Sequence, residues 1–128
     1  MIKTSKLRVY SDDRGSLAEN TLQEVMANSE HFFISKSIPN IVRGNHYHKR
    51  KEEWFYIIKG KAEIAVEDID TKERESITVS ADDNILVKME PLKAHAIKSI
   101  GDEEMILLAL INEVFDQEDP DTYEYKVL

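Results

Sequence analysis

Arg43-Gly44-Asn45-His46-Tyr47-His48-Lys49-Arg50-Lys51-Glu52-Glu53-Trp54-Phe55-Tyr56-Ile57-Ile58-Lys59-Gly60 decides how this chain is read. Two histidines stand one residue apart, a carboxylate follows five residues after the second, and a glycine closes the run seven residues later. The flanking residues have the β-branched and aromatic character of strands. Alternate residues of a strand share a face, so His46 and His48 are expected to point the same way. A third histidine, His95, follows in Pro91-Leu92-Lys93-Ala94-His95, and the chain has only four. Three imidazoles and the Glu53 carboxylate meeting on neighbouring strands would form a three-nitrogen, one-oxygen shell. Such a shell suits a borderline divalent ion such as zinc, iron, nickel or manganese.

The 128 residues suit one domain, 1–128, with little room for a second. There is no cysteine, which removes disulfides and thiolate ligands from consideration. Met1-Ile2-Lys3-Thr4-Ser5 lacks an apolar signal region, and no apolar run reaches membrane-spanning length. The expectation is a soluble cytoplasmic protein with no membrane partner. A net charge of −8, from 25 acids and 17 bases, gives nucleic acid no electrostatic reason to bind. An anionic small molecule stays open, provided local bases line its pocket.

Ten short runs read as strands: 7–10, 16–19, 31–37, 41–48, 54–58, 62–68, 75–79, 84–89, 95–100 and 105–112, with turn formers between them. Only Thr21–Ser29 reads as a helix, with Leu22, Val25 and Met26 along one side. Many short strands at even spacing predict an all-β sandwich or small barrel. Asp68–Glu75 is an exposed charged turn, and Lys59 and Lys61 flank another. The acidic stretch Val114–Tyr125 is expected to pack on the barrel through Phe115, Tyr123 and Tyr125.

His46, His48, Glu53 and Gly60 resemble the first motif of the cupins, although Asn40 stands where the leading glycine is usual. Pro91 and His95 resemble the second motif, with Leu92 where a glycine often follows the proline. The resemblance implies an all-β cupin jelly roll (a double-stranded β-helix) with at most one short helix and the four ligands facing inward. Arg43-Gly44-Asn45-His46-Tyr47-His48 and Asp13-Arg14-Gly15 are also similar to stretches of the nucleotide-sugar 3,5-epimerases and 3,4-ketoisomerases. Asn112-Glu113-Val114-Phe115-Asp116 and Pro120-Asp121-Thr122-Tyr123 resemble the end of a cupin domain. That domain belongs to the bifunctional capsular-polysaccharide enzymes of the UDP-N-acetyl-L-fucosamine route.

What this implies is a zinc-dependent C3 epimerase acting on a UDP-4-keto-6-deoxy-N-acetylhexosamine, with metal ligands His46, His48, Glu53 and His95. No Gly-x-Gly-x-x-Gly occurs, so no NAD-type cofactor is expected, and an NADPH-dependent reductase would be a separate polypeptide. A C4 ketone acidifies the C3–H, and its removal needs a base, an acid and stabilisation of enolate charge. His46 and His48 are candidate catalytic groups, His46 being the base if no metal binds, and Tyr56 is a candidate proton carrier. Tyr47, opposite in parity to His46, reads as a packing residue. Arg14 and Arg43 are candidate contacts to the substrate diphosphate. Trp54 is expected to pack on the second sheet or on a partner subunit. Three readings compete: a nucleotide-sugar epimerase or ketoisomerase, a non-catalytic sugar-binding regulator, and a metal-dependent dioxygenase. A homodimer is expected from the jelly-roll resemblance.

Overall fold

Met105–Ile111 shows how the sequence builds this fold. All seven residues are apolar, yet the strand alternates buried and half-buried positions, because each second side chain enters the space between two sheets. The structure is a computed structural model describing Met1–Leu128. In chain order the strands are β1 (Lys3–Lys6), β2 (Arg8–Asp12), β3 (Gly15–Glu19), β4 (His31–Ser37), β5 (Val42–Tyr47) and β6 (Glu53–Lys59). They continue with β7 (Lys61–Asp68), β8 (Arg74–Ser80), β9 (Ile85–Met89), β10 (Lys93–Ile100), β11 (Met105–Ile111) and β12 (Tyr123–Glu124). One helix, α1 (Gln23–Asn28), precedes β4, and a 3-10 turn spans Ala81–Asp83.

Two five-stranded antiparallel sheets face each other, in the orders β1-β9-β6-β11-β4 and β12-β5-β10-β7-β8, while β2 and β3 pair only with each other. This is the expected all-β jelly roll. Ile64, Val79, Val87, Met105 and Leu107 are among the residues that fill the space between the sheets. That packing continues to Phe55, Ile97 and Ile111, which also form walls of a cavity.

Several expectations need correction. β1 was not foreseen, because Lys-Thr-Ser-Lys carries no hydrophobic alternation, and it is held by its ladder to β9 at the sheet edge. Helix α1 is shorter than 21–29 and buries only Val25, leaving Leu22 and Met26 exposed. Trp54 does not meet the second sheet. It packs beneath α1 with Val25 and Leu86, on the outer face of its own sheet.

The carboxyl-terminal stretch crosses the barrel as expected, but of its three aromatics only Tyr125 packs there, half-buried beside Ala94 and Val127, while Phe115 is 57% and Tyr123 37% exposed. Polar anchors hold it as well. Asn45 Oδ1 accepts from the Val127 and Leu128 amides, and the Asn45 carbonyl accepts from the Tyr125 amide. The charged turn after β7 is exposed as expected, as are Lys59 and Lys61.

Candidate metal centre and its cavity

The four expected ligands come from both sheets. His46 lies on β5, His48 follows its end, His95 lies on β10 of the same sheet, and Glu53 opens β6 in the opposite sheet. His95 is the direct ladder partner of His46. The next step carries a β-bulge, in which Gly44 and Asn45 both have left-handed φ, +91° and +56°. A Cβ on Gly44 would lie 2.9 Å from the His95 carbonyl oxygen, so only glycine fits there.

The ring centroids of His46 and His95 are 4.8 Å apart, those of His46 and His48 5.0 Å, and those of His48 and His95 5.5 Å. All four donor atoms lie within 4.8 Å of one another. Glu53 Oε1 stands 2.8 Å from His48 Nε2 and 3.5 Å from His95 Nε2. His48, Glu53 and His95 are buried, and His46 is half-buried.

Burial pushes the His95 imidazole down to about 3, so it is neutral with a lone pair available at neutral pH. Burial and the neighbouring His48 also lower His46. For His48, burial acts downward, but the Glu53 carboxylate and the Asp121 carbonyl outweigh it and raise the pKa. Glu53 feels a burial penalty too, yet its hydrogen bond to His48 and the surrounding imidazoles hold it below the ordinary range. An ionised carboxylate with three convergent imidazoles fits a divalent cation, and the His95 nitrogen nearest the carboxylate is Nε2, 3.5 Å from Glu53 Oε1.

The cluster lies in a cavity of about 770 Å³, within the range of small-molecule sites. Arg43 lines this cavity too. Its Nε donates to Ser37 Oγ at 2.8 Å, and a terminal nitrogen donates to the Lys36 carbonyl. Arg14 does not join it: its side chain is 86% exposed on the β2–β3 turn, ion-paired to Asp12.

The expected catalytic place of Tyr56 is also corrected. Opposite in parity to Glu53, it lies on the outer face near Trp54, and its hydroxyl donates to Asn84 Oδ1 at 2.8 Å. Tyr47 likewise faces away, stacked on Tyr123 with centroids 5.3 Å apart.

Three residues not singled out in the sequence belong to this region. His31 lines the cavity, and its Nδ1 is buried without a partner. Register explains its place: Glu53 pairs with Ile111 across β6–β11, and Ile111 pairs with His31 across β11–β4, so all three share one face. Lys51, also buried and on the cavity, donates to the Pro120 carbonyl at 2.9 Å. Asp121 is buried and accepts from three consecutive backbone amides. The signal for His31 was present, since it was the one histidine left outside the motif. Asp121 stood in the tail stretch Pro120-Asp121-Thr122-Tyr123 with no role attached, and nothing local marks Lys51; both roles depend on contacts between the tail and the β5–β6 loop.

Comparison with known proteins agrees with this architecture. The chain is 34% identical over 119 residues to the UDP-2-acetamido-2,6-beta-L-arabino-hexul-4-ose reductase of Pseudomonas aeruginosa, a match covering 93% of this chain and 31% of that protein. It thus spans about a third of that relative. The solved capsular polysaccharide assembling protein CapF of Staphylococcus aureus superposes with a TM-score of 0.75 at 32% identity, covering 94% of this chain and 34% of that one. The dTDP-4-dehydrorhamnose 3,5-epimerase of Bacillus anthracis shares the fold, with a TM-score of 0.81 at 18% identity over 94% of this chain and 76% of its own. Residues 10–123 match the sequence profile of one family across most of the chain, and the chain therefore belongs to the polysaccharide biosynthesis C-terminal domain family.

Proposed function

We propose that this chain is a metal-dependent epimerase or isomerase acting on a nucleotide-linked 4-keto-6-deoxysugar during surface-polysaccharide biosynthesis. The observation that carries the reading is the convergence of His46, His48, Glu53 and His95 within 4.8 Å, in a cavity that Arg43 also lines. The relatives' names, a hexulose reductase and a capsular polysaccharide protein, support a keto-sugar substrate.

His46, His48, Glu53 and His95 would hold the ion, with zinc suited to three imidazoles and one carboxylate. When bound, such an ion supplies Lewis acidity at the ketone oxygen of the substrate. The protein's own groups do the rest. Arg43, braced by Ser37 and Lys36, presents its guanidinium to the diphosphate. Apolar walls from Phe33, Phe55, Ile97 and Leu107 limit water around the sugar ring. His31 and Lys51 line the same cavity, and to them we assign taking a proton from C3 and returning one. Arg14 does not line the cavity of its own chain, so any contact from it to substrate requires a second copy.

A homodimer is supported by the free outer edge of β4 and by exposed Phe32 and Ile34 on that strand. We place the enzyme in the cytoplasm, where nucleotide sugars are made, working with an NADPH-dependent reductase activity. No helix is long and apolar enough to cross a membrane.

One observation favours a second reading. His46 lines the cavity, and burial and His48 lower its pKa, which leaves a neutral imidazole that would serve as the base of a metal-free ketoisomerase. Incubation with a UDP-4-keto-6-deoxy-N-acetylhexosamine in deuterated buffer, followed by NMR, tests the proposal. Deuterium at C3 with inversion is expected, and a displaced carbonyl would indicate ketoisomerase. Bound sugar without exchange at any carbon would leave a sugar-binding regulator, and oxygen consumption with bound iron would indicate a dioxygenase.

A further inference from the structure

The loop between His48 and Glu53 joins the two sheets and carries a metal-centre residue at each end. Its middle makes no ladder. The backbone amides of Lys49, Arg50 and Lys51 turn inward together, forming a concave set of donors of the kind that binds anions. The anion they hold belongs to the protein. Asp121 Oδ1 accepts from the Lys49 amide at 2.9 Å, and Oδ2 accepts from the Arg50 and Lys51 amides at 3.0 and 2.9 Å.

Asp121 sits some seventy residues away along the chain and is only 2% exposed. Its backbone is left-handed, φ +48°, a region that aspartate and asparagine tolerate better than most residues. That conformation directs its own carbonyl at the buried His48 ring, where Nδ1 donates to it at 2.7 Å. The clasp is reciprocal, because Lys51 Nζ donates to the carbonyl of Pro120, the residue just before. The Arg50 side chain adds pairs to Glu113 and Asp119 on the same crossing segment.

An imidazole has two nitrogens, and a hydrogen bond at one settles the role of the other. With Nδ1–H committed to the Asp121 carbonyl, His48 presents Nε2 to the centre, 2.8 Å from Glu53 Oε1. One residue therefore does two things. Its side chain fixes the loop that spaces His48 from Glu53, and its main chain fixes the orientation of the His48 ring.

We propose that Asp121 is the positioning residue of the metal centre, acting through His48 and the 48–53 loop without touching substrate. The consequence for zinc rests on the metal-centre reading above, whereas the orientation of His48 does not.

Asp121→Ala removes the three amide contacts and frees the backbone whose carbonyl meets His48. Asp121→Asn keeps the left-handed backbone and one acceptor oxygen. The metal-free protein is examined first, by NMR of the His48 Nδ1 proton, which the wild type should show as a slowly exchanging imidazole resonance. Zinc affinity is then measured by chelator competition, with circular dichroism confirming the fold. In Asp121→Ala the resonance should be lost to exchange and zinc affinity should fall about 10–100-fold. Asp121→Asn should lie between this variant and the wild type. If Asp121→Ala does not fold, Asp121→Asn decides, with faster exchange and several-fold weaker zinc binding expected. A folded variant that keeps the slow His48 resonance overturns the proposal, as does one that loses it without any change in zinc affinity. If the wild type binds no zinc, the metal reading fails on its own, and the resonance alone decides the place of Asp121.

Discussion

Arg43 and His46 lie on the same face of β5 although they are three residues apart. Arg43 pairs with Ile97 and His46 pairs with His95 on β10, and those two partners are separated by two residues. A regular strand would send positions 43 and 46 to opposite faces. The extra residue in the bulge at Gly44 and Asn45 reverses the parity, and so places a guanidinium and an imidazole on one cavity.

Glycine 44 should therefore matter in a way that another constrained glycine does not. A Cβ at Gly44 would meet the His95 carbonyl oxygen at 2.9 Å, and one at Gly60 would meet the Glu104 carbonyl oxygen at 2.8 Å, both at left-handed φ. Each alanine variant should lose about 1–3 kcal/mol in urea denaturation. Only Gly44→Ala should also weaken zinc binding, by about tenfold or more. Equal zinc affinity in the two variants would show that the bulge does not set the site.

His95 gives the metal-free protein a defined acid sensitivity. Its folded pKa is about 3, against 6.5 ordinarily, so between these values the unfolded chain takes up a proton that the folded chain refuses. Stability is then complete above 6.5 and falls toward pH 3, by up to about 1.4 kcal/mol per pH unit from this residue alone. His48, raised, acts oppositely: its contribution is complete below 6.5 and fades as pH rises through its folded value. Urea titrations between pH 7 and pH 5 should show a smaller slope for His95→Gln than for the wild type. An unchanged slope would contradict the burial of a neutral ring.

His31→Asn should separate chemistry from metal binding. The residue shares the cavity but not the four-donor cluster. Turnover should fall about 100-fold, the low end for a lost proton-transfer group, with zinc affinity and thermal midpoint close to wild type. Full activity in this variant would remove His31 from the mechanism.

Tyr56→Phe is the converse case. Losing the hydrogen bond to Asn84 should cost about 1 kcal/mol of stability and leave turnover unchanged, because the hydroxyl is on the outer face. A large fall in kcat with an intact fold would return Tyr56 to the site.

The fold and the convergence of the four candidate donors were legible because both rest on strand parity. His46, His48 and the strand-like run after Glu53 need only period-two reading, and His95 on a later strand completes the set. Asn40 and Leu92, standing where glycines are usual, looked like departures. Yet the chain keeps left-handed φ at both, +68° and +64°, so the turns survive the substitutions. What could not be read depends on register and on distant contacts. The alignment of His31 with Glu53 requires two ladders through Ile111, and the anchoring of the β5–β6 loop requires a carboxylate from the far end of the chain. The outward Tyr56 was misplaced because β6 begins at Glu53 with that residue inward, which sets the parity through Ile57, ahead of the register shift that leaves Lys59 exposed.

The most direct measurement is the rate of solvent-deuterium incorporation at C3 of the keto-sugar nucleotide, taken with zinc-loaded, chelated and reloaded protein. The account predicts rapid exchange with inversion in the loaded protein, a loss of at least about 100-fold on chelation, and recovery on reloading. Exchange at an equal rate in the chelated protein would contradict it, and would leave the proton transfers to side chains of the cavity without an ion.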